Sequence, residues 1–600
     1  MEKKQKLELT WIGKENRPNF ESRILIEDLS VSYHAKKRYS KNDLFDNKII
    51  YGDNLLGLKA LEFEYTGKIK CVYIDPPYNT ESFQNEYYDD NLDHSIWLSR
   101  MSYRIEVIKK LLSNDGFLAI QIDDHNYAWL YLLMVEAFGQ NNLKTICVKM
   151  SEATGVKMAS VLRSGTIPKL KEYIILAGKN GIKGLHAEKI PKESWDREYS
   201  LIVLNKSIEE IEFIKSVIED ENRSNESIEE ANNILSDMNV SHVNDFMESN
   251  QIPTLQKDTF CFENAWRIIR TVSMAGGARL IADKYSKSNT DAKFFLISTK
   301  ENKCYVIKNG YDHAVSEPRI KALFADDYLT IHPGDFWQDI STTGLGNEGG
   351  VNFKNGKKPE ALVKRIIGMC SNPGDLILDS FGGSGTTAAV AHKMNRRWIT
   401  IEMGDHCHSH ILVRLKNVIN GNDTSGVTNL MNWKGGGGFR YYKLAPSLLE
   451  KDKWGQWVIN KEYNANMLAS AICKHEGFIY SPSETEWWNH GNSTENDFIY
   501  VTTQIMTEDQ LLALSEDVGS NRTLLICCSA FKVSSDLLNN KLSNLTLKKI
   551  PNAIMSQCEW GKDDYSLNID NLHQAELEEV IHKVKPSKKD KTENLFNEEN

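Results

Sequence analysis

The 600-residue chain contains no apolar stretch approaching the roughly 20 residues that span a bilayer. Its opening, MEKKQKLELTWIGKENRPNF, lacks the apolar core of a secretory signal. These two absences lead us to expect a cytoplasmic protein. The ten cysteines are scattered, with neither the paired spacing of a zinc site nor the density of a disulfide scaffold, and most are expected to be small buried hydrophobes. Excess positive charge is lacking too. A net charge of -10 argues against a uniformly basic nucleic-acid binder, although a local basic groove is compatible with that total. No internal repeat is present.

What the chain does contain is alternation. NKIIYGDNLLGLKAL (47–61) reads as a strand, a Gly-Asp turn and a helix start, and IKCVYID is a strand ending at Asp75. Trp97, Met101, Ile105, Ile108 and Leu112 recur at helical spacing, closed by Asn114-Asp115-Gly116. GFLAIQID then predicts a strand, and HNYAWLYLLMVEAFG a helix stopped by Gly139. Such a succession implies a doubly wound α/β sheet with helices on both faces. From about Gly181 to Asp327 the alternation breaks, and the acidic, polar stretch 205–250 suggests surface helices. It resumes in DLILDSFGGSGTTAAVAHKMNRRWITIEM (375–403). Gly435 to Gly438 predict a flexible join or tight turn. Beyond them, FIYVTTQ, MTEDQLLALSEDVG and TLLICCSAF form a strand-helix-strand unit with Thr507 as a helix cap. The expected organisation is an N-terminal arm (1–46), a first core half (47–180), an inserted domain (181–330), a second core half (331–434), a C-terminal accessory α/β domain (435–580) and a disordered tail (581–600).

Two constellations carry chemistry. In CVYIDPPYNTES (71–82), Pro76 and Pro77 make a stiff exit from a strand. There the carboxylate of Asp75 and the carbonyl of Pro76 can face the same space as two acceptors, beside the ring of Tyr78. That arrangement suits a planar group with an exocyclic amine, as in adenine or cytosine. The bland alternative is a rigid surface turn, with Asn79 as a turn residue. The second constellation, FGGSGTT (381–387), lies between a strand and a helix, so its glycines let a ligand approach the backbone near a helix N-terminus. Glu402, ending the next strand, can accept both hydroxyls of a ribose. Gly383, Gly385, Ala388 and Glu402 also fit a dinucleotide fingerprint, so this loop alone does not separate NAD from S-adenosylmethionine. The pairing with Asp75 to Tyr78 favours a methyl donor, because hydride transfer has no use for a two-acceptor turn.

Together these residues resemble an amino-directed DNA methyltransferase, and DPPY preceding FGGSGTT is the order of the beta class. WIGK, YGDNL, KEYIILAGK (171–179), NFKNGKKPEALVKRII (352–367) and GGGGFRYYKL (435–444) extend the resemblance to the modification subunits of type III restriction-modification systems, over roughly residues 1–445. The resemblance implies a Rossmann-like S-adenosylmethionine-dependent core with an inserted target-recognition domain. It implies catalysis at Asp75, Pro76, Pro77 and Tyr78 on a flipped base. For the cofactor it implies Asp379, Phe381, Gly383, Ser384, Gly385 and Thr386 around the loop, Glu402 at the ribose, Asp53 near the adenine and Lys358 near the amino-acid part. Double-stranded DNA, a homodimer and a helicase-nuclease subunit are the implied partners. Ser380 stands where the family usually has proline, and Lys171 where histidine is frequent, so no role passes to Lys171.

Asp at position 75 leans toward N6-adenine, with N4-cytosine as the alternative. No Pro-Cys pair, the usual setting of a carbon-5 nucleophile, occurs. A non-catalytic DNA-binding specificity subunit and an NAD-dependent enzyme are the other readings. The basic run 141–179, with Lys149, Lys157 and Arg163, and the aromatic-rich stretch holding Arg267 and Arg270 are candidates for phosphate contact. DHCHSH (405–410) offers His406 and His410 at helical spacing, but Asp405 reads as a helix cap there and no metal is expected.

Overall fold

The computed structural model describes residues 8–78, 94–152, 161, 163, 165–186, 188–353, 356–534 and 541–565. The chain divides into two compact units, residues 1–186 with 334–600, and residues 187–333.

The first unit is built on a mixed sheet. Its strands are β1 (Leu25–Glu27), β2 (Tyr33–His34), β3 (Asn47–Tyr51), β4 (Ile69–Ile74), β5 (Leu112–Ile122), β6 (Leu143–Lys149), β7 (Lys171–Gly178), β8 (Phe336–Trp337), β9 (Leu376–Asp379), β10 (Arg397–Glu402) and β11 (Gly438–Leu444). Their spatial order is β1-β11-β3-β10-β9-β4-β5-β7-β6-β8, with β2 also on β11. From β11 to β5 all pairs are parallel, whereas β7 runs antiparallel to both β5 and β6. The centre of the sheet is therefore a doubly wound α/β core.

Strand periodicity builds two cores from one sequence. Val72 and Ile74 of β4 join Leu55, Leu58, Trp97, Met101, Ile105 and Leu130 on one face. Cys71 and Tyr73 face the other way, toward Leu362, Ile366, Ala388, Leu415 and Val418. The first face is covered by helices α1 (Asn54–Tyr65), α2 (His94–Leu111) and α3 (Asp124–Phe138), the second by α4 (Glu360–Cys370), α5 (Thr386–Lys393) and α6 (Leu412–Asn420). Caps set the entries: Asp53 accepts from Leu55 and Leu56 N–H, and Asp123 from His125 N–H. Gly139 closes α3 with φ 87°.

Local reading and structure part at several points. Leu112, expected on the helix, begins β5 by pairing with Ile69. An irregularity then absorbs Ser113 to Gly116, because Cys71 pairs with Phe117. The glycines before β11 are not a flexible join. A side chain at Gly435 would meet Ile419 O at 2.9 Å and one at Gly437 would meet Leu44 O at 2.5 Å, so close backbone approach requires glycine there. Gly438 to Leu444 form a strand of the main sheet beside β3, which carries that sheet past residue 434.

A five-stranded sheet follows in the same unit, with Asp497–Val501, Thr523–Cys528 and Leu545–Lys549 parallel in that order. Thr507 caps Glu508–Val518 in a reciprocal box with Gln510.

The second unit holds a six-stranded antiparallel sheet, centred on Ile268–Ser273 and Arg319–Phe324. The polar stretch 205–250 supplies helices Ile208–Glu219 and Asn225–Ser236. Their Ile211, Ile214, Val217, Ala231 and Leu235 enter the unit's core, so these helices cover the sheet rather than decorate it. No helix among the described residues is long and apolar enough to cross a membrane.

Candidate active site

Because β3, β10, β9 and β4 are parallel neighbours, the residues at their carboxyl ends line one edge of the sheet, where open α/β sheets bind ligands. Asp53 and Asp75 with its prolines follow β3 and β4, and Glu402 and Asp379, the latter leading into the glycine loop, are the last residues of β10 and β9.

At Asp75 the two prolines are buried and the chain leaves β4 without further pairing. The Trp97 indole N–H donates to Pro77 O at 3.0 Å, and the Asn126 side-chain amide donates to Tyr78 O at 2.5 Å, so α2 and α3 clamp the turn. The Tyr78 hydroxyl sits between two acids, 2.7 Å from Asp75 Oδ1 and 2.8 Å from Glu172 Oε2. Lys358 Nζ lies 2.8 Å from Asp75 Oδ2, 3.6 Å from Glu172 Oε2 and 4.9 Å from the centre of the Tyr78 ring. Gln121 Nε2 donates to Glu172 Oε2 at 2.5 Å and takes the Tyr73 hydroxyl on its own Oε1. Burial pushes the Asp75 carboxyl up from its ordinary range, and Glu172 adds to this against the pull of Lys358. For Glu172 burial is outweighed by Lys358, Gln121 and Tyr78, and its pKa is lowered.

The glycine loop is held from behind. Asp379 Oδ1 accepts from Phe381 N–H at 2.9 Å. Glu402 Oε2 accepts from Gly383 N–H at 2.7 Å, while Oε1 takes Met403 and Gly404 N–H at 2.8 and 2.9 Å, with His406 Nε2 3.1 Å away. Gly383 and Gly385 have φ of 50° and 76°, the left-handed region that glycine supplies without strain. A side chain at Gly382 would meet Thr400 Oγ1 at 2.7 Å. Ser384 and Thr386 hydroxyls lie 3.1 Å apart, and Arg414 Nη1 donates to Thr386 Oγ1 at 2.7 Å. Burial, with Asp75 and Glu402 nearby, raises the Asp379 carboxyl to about 7 despite bonds from Thr387 and Phe381. Phe381 itself is buried, with the Arg104 guanidinium 6.0 Å from its ring centre.

A family model described as DNA methylase matches residues 69–412, more than half of the chain. The chain belongs to the DNA methylase family. It is 34% identical over 437 residues to the probable type III restriction-modification enzyme HindVI Mod subunit of Haemophilus influenzae, covering 68% of this chain and 55% of that protein. To the EcoPI Mod subunit of Escherichia phage P1 it is 25% identical, covering 70% and 65%. The chain thus spans about half to two thirds of these two relatives. A solved PvuII DNA methyltransferase (cytosine-N4-specific) aligns with a TM-score of 0.31 and 13% identity over 66% of this chain and 95% of that one. As a DNA methylase, the chain resembles beta-class modification subunits.

Other expected residues of this methylase have partners that the sequence did not announce. Asp53 caps α1 through Oδ1, takes Tyr565 N–H on Oδ2 at 3.0 Å, and lies 3.9 Å from Arg104. Lys149 is paired with Glu152 at 2.8 Å, and Arg163 is exposed. Lys157 and Asn79 lie outside the described residues. In the second unit, Arg267 bonds Asn264 and lies near the rings of Phe246 and Trp266. Arg270 pairs with Glu198 and lies over Tyr199. The histidines of 405–410 diverge: His406 faces Glu402, His408 the Tyr441 hydroxyl at 2.8 Å and His410 the Asn352 carbonyl at 3.2 Å. The capping position there is His406, and Asp405 contributes its backbone carbonyl to His408 N–H.

Sequence reasoning missed Glu172, Gln121 and the buried ionic cluster behind the loop. In that cluster Lys393 bonds Glu360 and Asp423, and Arg414 bonds Glu360 at 2.7 Å. Glu172 had one usable signal, an acid opening the apolar run YIILAG, where an antiparallel strand meets the carboxyl end of β5. The cluster had a weaker one, charges on the otherwise apolar faces of α4, α5 and α6.

Proposed function

We propose that the chain methylates the N6 amino group of an adenine in double-stranded DNA, with S-adenosylmethionine as donor. The observation that carries this reading is the placement of the Asp75-Pro76-Pro77-Tyr78 turn and the Glu402-held glycine loop on neighbouring parallel strands, β4 and β9 with β10.

The residues fit such a cofactor. Three carboxylates, Asp75, Asp379 and Glu402, interact at one edge, which suits a cationic ligand, and the close packing of Gly382 leaves backbone rather than side chain beside the loop. The hydroxyls of Ser380 and Thr400 are buried there without a hydrogen-bond partner. Asp379, Phe381, Gly383, Ser384, Gly385 and Thr386 would hold it, with Glu402 toward its ribose and Asp53 toward its adenine, while Lys358 is paired with Asp75 and Glu172. Held there, S-adenosylmethionine would supply an electrophilic methyl group on a sulfonium, with a neutral thioether as the leaving group.

The chain's residues prepare the nucleophile. The lone pair of an adenine amine is delocalised into the ring, so the amine attacks poorly. Asp75 and the Pro76 carbonyl, each accepting one N–H, favour a pyramidal nitrogen and free that lone pair for the new nitrogen–carbon bond. Asp75 takes the proton the amine then sheds and passes it to water. Most of the acceleration comes from positioning and electrostatics. A stacked base does not reach this turn, so the adenine is flipped out, with Tyr78 as its stacking partner. On the same reading the chain is the modification subunit of a restriction or phage-defence system, a homodimer working with a helicase-nuclease subunit, supported by the likeness to the HindVI Mod subunit.

The test is incubation with methyl-labelled S-adenosylmethionine and unmethylated bacterial DNA, followed by digestion to nucleosides. Label in N6-methyladenosine, absent with Asp75→Ala, is the expected result. Label on cytosine would overturn the base assignment, and no label despite cofactor binding would favour a specificity subunit.

A further inference from the structure

The cluster around Asp75 contains one more acid than accepting an amine requires. Glu172 comes from β7, outside both motifs, yet it reaches the Tyr78 hydroxyl at 2.8 Å and Lys358 Nζ at 3.6 Å. Lys358 has its shorter contact with Asp75, at 2.8 Å on Oδ2, while Tyr78 occupies Oδ1. Both oxygens of the carboxylate assigned to the target amine are therefore engaged. The Lys358 side chain is 8% exposed, so its ammonium has little water to move into and must stay beside an anion. Among the described residues, Asp75 and Glu172 are the carboxylates within 4 Å of it.

We propose that Glu172 is a positioning residue that takes over the Lys358 ammonium when the target amine enters, leaving Asp75 Oδ2 to accept the amine N–H. The proposal rests on the reading of this site as an amino methyltransferase centre. The ammonium already lies near both acids, so the exchange needs only a small side-chain displacement. A cation moving between two carboxylates keeps an ion pair throughout, whereas without Glu172 its departure from Asp75 would strand a buried charge. Gln121 donates to Glu172 and fixes the receiving carboxylate in place before the exchange. Its lowered pKa keeps it anionic at neutral pH.

A merely structural role, buttressing Tyr78, makes a different prediction. In Glu172→Gln the side-chain oxygen still accepts the Tyr78 hydroxyl, and only the charge is lost. With saturating cofactor, this variant should lower kcat for methyl transfer about a hundredfold, with little change in KM for DNA. Adding Lys358→Met, which removes the trapped ammonium, should recover kcat at least about tenfold over Glu172→Gln alone. A kcat for Glu172→Gln within about threefold of the unaltered protein, or a double variant no faster than the single one, overturns the proposal. No transfer by the unaltered protein would instead overturn the reading of the site, and the proposal with it.

Discussion

The backbone N–H of Tyr565 donates to Asp53 Oδ2 at 3.0 Å, and Arg104 Nη2 donates to Tyr565 O at 2.8 Å. A residue near the end of the described chain thus completes the hydrogen bonding of the carboxylate that caps the first core helix. Tyr565 also packs edge-on against Phe20, with ring centres 4.9 Å apart. Replacing Tyr565 by proline deletes the donor and leaves a buried carboxylate oxygen short of a partner. The lost bond alone is worth about 1–3 kcal/mol and removal of the buried ring adds to it, read as a lower thermal unfolding midpoint.

Tyr78→Phe keeps the ring and removes the hydroxyl shared by Asp75 and Glu172. Two buried acceptors lose a donor, so methyl transfer should slow by about ten- to a hundredfold. Cofactor binding, measured by protection from thermal unfolding with S-adenosylhomocysteine, should be unchanged. Equal loss of binding and rate would assign Tyr78 to the cofactor instead.

Asp379 titrates at about 7 in the folded chain, raised first by burial and then by Asp75 and Glu402. An unfolded aspartate titrates near ~3.9, so between these values the folded state holds a proton that the unfolded state lacks. Its contribution to stability therefore falls as pH rises across that window. A cationic cofactor favours the ionised form, and affinity for S-adenosylmethionine should rise up to about tenfold from roughly pH 6 to 8. Equilibrium binding at both pH values checks this, and Asp379→Asn should flatten the dependence.

Lys393 is fully buried and bonds Glu360 at 2.7 Å and Asp423 at 2.6 Å. Lys393→Met removes the cation that both acids share, leaving Glu360 with Arg414 and Asp423 with the hydrogen bonds of Ser425, a loss of about 3–5 kcal/mol. The exposed pair Lys303 and Glu301 is nearly as close, at 2.8 Å, yet Lys303→Ala should leave unfolding unchanged, because water screens both partners. Thermal unfolding of the two variants side by side makes the comparison.

The legible parts of the fold were those decided within a few residues. The apolar runs ending at Asp75 and Asp379 form strands, Gly139 ends a helix, and Thr507 caps one. Where neighbours in space overrule neighbours in sequence, local reading failed. Leu112 fits a helical repeat but pairs with Ile69. Of the two readings open for Gly435 to Gly438, a flexible join or a tight turn, the first is excluded by the packing of Gly435 against residue 419 and Gly437 against residue 44.

By itself the sequence determined the reacting groups and the stiffness of their setting. A carboxylate before two prolines and a glycine-rich strand-to-helix turn carry their geometry in their own dihedral limits. Only the tertiary structure decided which charges meet there. Strand order sets β4 beside β9 and β5 beside an antiparallel β7, and this places Lys358 and Glu172 at Asp75 from distant segments. The physical reason is range: torsional preferences act between adjacent residues, whereas electrostatic and hydrogen-bond partners are chosen by distance in space.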